Sequence, residues 1–85
     1  MTFSTMIKGY CKYQRIPNAL STLASMKDIG IKADEVLYNS ILDGCSKSSQ
    51  IASAFDIYGE MMKEGVLPST ITYNSLIDCC VRSNN

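Results

Sequence analysis

Val36-Leu37-Tyr38-Asn39-Ser40-Ile41-Leu42-Asp43-Gly44-Cys45 decides the fold, because it returns 35 residues further on. Tyr38-Asn39-Ser40 falls on Tyr73-Asn74-Ser75, Asp43 on Asp78 and Cys45 on Cys80. The same shift runs backwards along the chain: Gly9 meets Gly44, Lys12 meets Lys47, Ile16 meets Ile51, Ala19 meets Ala54, Met26 meets Met61 and Gly30 meets Gly65. A fixed period of this length marks a solenoid, in which one small unit cannot bury its apolar face until a neighbour stacks on it.

Inside the quoted stretch Tyr38, Ile41, Leu42 and Cys45 stand at i, i+3, i+4 and i+7, which draws one apolar stripe along a helix. Phe3, Met6, Ile7 and Tyr10 repeat the spacing upstream; Tyr73, Leu76, Ile77 and Cys80 repeat it downstream. A second helix follows in each unit, carried by Ala19, Leu20, Leu23 and Met26 and then by Ala54, Phe55, Tyr58 and Met61. Pro17 suits a first helical turn, where its missing N–H costs nothing. Gly30 and Gly65 suit the left-handed residue that closes a helix, and Pro68 stops any continuation. Short polar stretches at 13–15 and 48–50 turn each first helix into the second. The sequence thus predicts an all-α solenoid of antiparallel helix-turn-helix units, with helices over 2–13, 17–29, 36–48, 51–64 and 72–83. Residues 1–34 form one unit, 35–69 a second and 70–85 the first helix of a partial third, about two and a half repeats. First helices are expected to line the concave face. Solenoids ordinarily need ~3 repeats, so the chain is expected to run on or to rest against a partner.

Composition narrows the function. The chain has 85 residues, eight basic and eight acidic side chains, and no histidine. An apolar fraction of 46% suits a packed domain rather than disorder. No apolar run approaches the ~20 residues of a membrane span, and no targeting peptide is visible at the start. With no histidine, no nucleophile motif and no phosphate loop, the chain does not read as an enzyme. The four cysteines, Cys11, Cys45, Cys79 and Cys80, include no Cys-x-x-Cys pair, so neither zinc nor any other cofactor is expected. They read as buried or half-buried free thiols of a reducing compartment, with Cys45 and Cys80 in the slot that Tyr10 fills in the first unit. Met26, Met61 and Met62 are assigned to the core. Zero net charge is unlike the basic excess of most nucleic-acid binders, although it leaves room for a local basic stripe.

The quoted stretch and Thr72-Tyr73-Asn74-Ser75-Leu76-Ile77-Asp78 resemble the opening of a pentatricopeptide repeat of the 35-residue type. The runs Met26-Lys27-Asp28-Ile29-Gly30-Ile31-Lys32-Ala33-Asp34 and Met61-Met62-Lys63-Glu64-Gly65-Val66-Leu67-Pro68-Ser69 are similar to its close, with Ala33 standing where proline is usual. A tetratricopeptide repeat would show a tryptophan signature, and the chain has no tryptophan.

The resemblance implies binding of single-stranded RNA, one base per repeat, in RNA processing inside a mitochondrion or chloroplast. It assigns base reading to Ser4 with Asp34, to Asn39 with Ser69, and to Asn74 with a partner beyond the chain end. The family's code then gives guanine for Ser4/Asp34, cytosine first for Asn39/Ser69 and a pyrimidine for Asn74. Met1, Val36 and Ile71, each two residues before an aromatic, would sandwich the bases. Lys12, Lys47 and Arg82 recur at the period as one cation per repeat, in reach of phosphates. Each assignment has a plainer rival: Asn39 and Asn74 as polar helix starts, the cations as partners of helix C-termini, Val36 and Ile71 as inter-repeat packing. The rival function is a scaffold subunit of a large organellar complex that docks protein or structured RNA without reading bases.

Overall fold

The computed structural model describes residues 2–83 and forms them into five helices: α1 (Phe3–Lys12), α2 (Ile16–Asp28), α3 (Glu35–Lys47), α4 (Ile51–Lys63) and α5 (Thr70–Ser83). Among the described residues there is no strand. Helix ends fall within two residues of the sequence expectation. The largest difference is at α5, which begins at Thr70 rather than at residue 72. There the Thr72 hydroxyl reaches back to accept the Ser69 N–H at 3.1 Å, which is half of a capping box. Thr2 caps α1 by accepting from the Thr5 N–H, and the Asp34 carboxylate caps α3 by accepting from the Leu37 N–H at 2.9 Å.

Helices α1 to α4 all end in one way. After α2 the Gly30 N–H donates to the Lys27 carbonyl and the Ile31 N–H to the Met26 carbonyl, with Gly30 at φ +86°. Gly65 and Val66 repeat this after α4, with Gly65 at φ +77°. This is the double hydrogen bond of a Schellman motif, for which glycine is the natural left-handed residue. The turns after α1 and α3 make the same bonds without glycine: Gln14 and Ser49 stand at φ 60° and 56°.

The first helices α1, α3 and α5 pack side by side, while α2 rests on α1 and α3, and α4 rests on α3 and α5. Three-residue links at 13–15 and 48–50 make the members of each pair antiparallel. Lying in the middle, α3 buries Leu37, Tyr38, Ile41, Leu42 and Cys45. Gly44 lets α1 come close: a Cβ built there would lie 2.9 Å from the Cys11 Cβ and 3.0 Å from the Ile16 Cδ1. On the outer side Lys27 bridges to Glu60, and to Glu64 at 3.1 Å, tying α2 to α4.

One expectation about the core needs correcting. Met62 is 49% exposed, because its position on α4 is rotated about 100° from the buried Met61. The period also pairs slots with unlike surroundings: Gly9, the period-mate of Gly44, faces open space among the described residues. Cys80 is only half-buried where its period-mate Cys45 is fully buried. The α5 residues Tyr73, Ile77 and Val81 are likewise 47%, 61% and 65% exposed, although Tyr38, Leu42 and Ser46 in the same slots are buried. No described helix is long and apolar enough to cross a membrane.

Candidate nucleic-acid interface

The grooves between successive first helices carry the residues of interest. One, about 300 Å³, lies between α1 and α3 and is lined by Lys8, Lys12, Ser40, Asp43 and Lys47 among others. The next, also about 300 Å³, lies between α3 and α5 and is lined by Asp43, Ile71, Asn74, Ser75 and Asp78. Ser75 and Asp78 are Ser40 and Asp43 shifted by one period, so the same groove is formed twice.

Asn39 and Ser69 are brought together through a third residue. The Thr72 hydroxyl, fully buried, donates to the Asn39 Oδ1 at 2.5 Å and accepts from the Ser69 N–H. The Ser69 Oγ is 3.4 Å from the same hydroxyl. Asn39 and Ser69 are themselves half-buried, so each keeps part of its polar surface open. No such link joins Ser4 to Asp34. Both are exposed, and the slot of Thr72 is filled there by Leu37, which has no hydroxyl to bridge them. Asp34 instead uses one carboxylate oxygen to cap α3. Asn74 is exposed and lines the second groove beside Ile71.

Val36 and Ile71, at 58% and 63% exposed, are not packed into the inter-helix core. Two aliphatic side chains thus stand exposed in the first turns of α3 and α5. Met1, the third residue of this set, lies outside the described residues.

The cations differ among themselves. Lys47 pairs with Asp43 at 3.1 Å, and the Arg82 Nε pairs with Asp78 at 2.9 Å, each four residues apart on one helix. Such exposed pairs are screened by solvent and hold weakly, so Lys47 can turn from Asp43 to a phosphate. Asp78 also accepts from the buried Ser46 hydroxyl at 2.5 Å, and this bond, then Arg82, holds its carboxyl below the usual range. In the first unit Lys8 occupies the acid's slot, and among the described residues no carboxylate pairs with Lys12.

The thiols face inward. Burial, assisted by Asp43, pushes Cys11 up to about 11, and burial pushes Cys45 up to about 12. All four cysteines are reduced, and among the described residues no three metal-ligating side chains converge.

Two contributors to this surface escaped the sequence reading. Lys8 carried no periodic match, since acids fill its slot in the later units. Thr72 left one signal, a hydroxyl in a slot where the preceding unit has Leu37.

The PPR repeat family matches residues 33–82, and a PPR repeat matches residues 1–31. Among solved structures, the crystal structure of the pentatricopeptide repeat protein PPR10 from maize is similar, with a TM-score of 0.88 and 26% identity. That likeness covers 96% of this chain and 12% of the maize chain. No curated protein matches the chain.

Proposed function

Because the chain belongs to the pentatricopeptide repeat family, matched over residues 33–82, we propose that it is a base-reading module for single-stranded RNA in organellar RNA processing. Its units divide at 34/35 and 69/70. The observation that supports this reading is that the Thr72 hydroxyl lies 2.5 Å from the Asn39 Oδ1 and 3.4 Å from the Ser69 Oγ, so the Asn39 and Ser69 side chains stand close together. An amide and a hydroxyl there supply donors and an acceptor for the edge of a splayed base. Val36 and Ile71 offer apolar surface against its faces, and Lys12, Lys47 and Arg82 meet the backbone phosphates. Ser4 with Asp34 forms the preceding reading site, Asn74 serves as a reader in the following one, and Met1 sandwiches the first base. The module works in a mitochondrion or chloroplast.

The rival reading, a scaffold subunit, draws on the neutral charge and on the acids beside Lys47 and Arg82. Titration of short RNAs into the chain decides between the two. Base reading predicts weak binding to single strands, cytosine favoured over uracil, and a preference that moves toward uracil in Ser69→Asp. Binding that ignores both Asn39→Ala and Ser69→Asp leaves the scaffold reading standing.

A further inference from the structure

We propose that Thr72 is a positioning residue that makes the Asn39/Ser69 site prefer cytosine, by fixing which end of the Asn39 amide faces the RNA. The inference rests on the base reading proposed above. Three observations lead to it. The Thr72 side chain is fully buried, so its hydroxyl has to find partners within the protein. The Ser69 N–H, which can only donate, takes a lone pair of that hydroxyl at 3.1 Å. The hydroxyl donates to the Asn39 Oδ1 at 2.5 Å, a much closer acceptor than the Ser69 Oγ at 3.4 Å.

The consequence is chemical. With its oxygen engaged, Asn39 turns the NH₂ end outward and meets a base as a donor. The ring N3 of cytosine is an acceptor, whereas N3 of uracil carries a proton and would oppose the amide donor to donor. An amide free to turn over would present its oxygen to uracil equally well. Thr72 comes from the helix after the repeat it serves, 33 residues from Asn39 in sequence. The preceding interface has Leu37 in this slot and gains no such lock. Specificity at one base is therefore set partly by the following helix.

Thr72→Val removes the hydroxyl with little change of shape, and Thr72→Ser keeps it. Each ¹⁵N-labelled chain is titrated with short oligocytidine and oligouridine strands, and affinities are read from the backbone amide signals of α3 and α5. The unaltered chain should favour cytidine by about five-fold or more, the factor for one unmatched hydrogen bond. Thr72→Val should bring the two affinities within about two-fold of each other, and Thr72→Ser should keep the original ratio. Melting temperatures are followed alongside, because Thr72 also helps start α5, and a capping role alone would lower stability without moving the ratio. Thr72→Leu, which copies the preceding interface, serves if the valine variant does not fold, and it too should erase the preference. An unchanged ratio in the hydroxyl-free variants overturns the proposal. If Asn39→Ala and Ser69→Ala shift the ratio in that case, Thr72 alone is ruled out. If they also leave it unmoved, the base reading fails with it.

Discussion

Gly44 and Cys11 touch across the α1–α3 interface so closely that a Cβ on Gly44 would fall 2.9 Å from the Cys11 Cβ and 3.3 Å from its Cα. The Ile16 Cδ1 at 3.0 Å can turn aside, but the Cys11 Cβ and Cα are fixed to the backbone of α1. Gly44→Ala should therefore push α1 off α3 and destabilise the chain by about 1–3 kcal/mol. Gly9→Ala is the control: its Cβ meets nothing within 4 Å, and replacing a mid-helix glycine should add up to about 1 kcal/mol. Urea unfolding followed by circular dichroism checks both. Equal effects from the two substitutions would show that α1 and α3 do not approach as described.

The turns after α1 and α3 hold Gln14 and Ser49 in the left-handed region, at φ 60° and 56°. A side chain there costs roughly 1–2 kcal/mol, part of which glycine returns through the greater freedom of the unfolded chain. Ser49→Gly and Gln14→Gly should each raise stability by about 0.5–1 kcal/mol. Gly65→Ala should lower it by a similar amount, since Gly65 stands at φ +77°. Thermal melts of the three variants give the signs directly.

These turns also mark the boundary of what the sequence could reveal. Gly30 and Gly65 announce their turns, because glycine is the residue that a left-handed position favours. Gln14 and Ser49 occupy the same geometry and announce nothing, since neither type requires it. The five helices were legible because the apolar stripe recurs at 35 residues, and the period carries over what one unit alone leaves ambiguous. The period misleads where its context changes. It pairs Gly9 with Gly44 and Cys80 with Cys45, but a slot is buried only if a neighbouring helix covers it. Met62 was drawn into the core by adjacency to Met61, against the helical rotation that separates them. In the candidate site Asn39 and Ser69 were legible by resemblance, whereas Thr72 was not. Its role arises from a bond between helices, and single-helix spacing does not record such bonds.

Stability should have a plateau bounded by the groups whose protonation folding perturbs. Cys11 and Cys45 are raised from 9.0 to about 11 and about 12, so the folded state holds their protons more tightly than the unfolded state. Their contribution is complete below pH 9 and is lost as pH rises from 9 toward 11 and 12. Glu60 moves the other way: its hydrogen bond to Lys27 lowers it from 4.5. Its contribution is present above pH 4.5 and is lost as pH falls through the folded value. Urea midpoints measured across this range should fall at both ends, with Glu60→Gln flattening the acid limb. In the native chain a thiol reagent at neutral pH should modify Cys80 first, while the buried Cys11, Cys45 and Cys79 wait for unfolding. Mass spectrometry of the singly labelled product identifies the site.

The groove between α1 and α3 tests the RNA reading without reference to base identity. Lys8, Lys12 and Lys47 surround one carboxylate, Asp43, which pairs with Lys47 at 3.1 Å. A phosphate entering this groove meets three cations but also the charge of Asp43. Asp43→Asn removes that charge and releases Lys47, so affinity for single-stranded RNA should rise a few-fold at low salt. The rise should be the same for every sequence, because phosphate contacts carry no base information. Folding should scarcely change, since an exposed i,i+4 pair contributes only about 0.3–0.5 kcal/mol. Lys12→Ala is the opposing variant. Among the described residues Lys12 has no acid partner, so its loss should weaken binding and reduce the log–log salt slope by about 0.7, the value for one phosphate contact on a single strand. Fluorescence anisotropy at several salt concentrations reads both effects. If Asp43→Asn and Lys12→Ala bind RNA like the unaltered chain at low salt, this groove does not carry the phosphates.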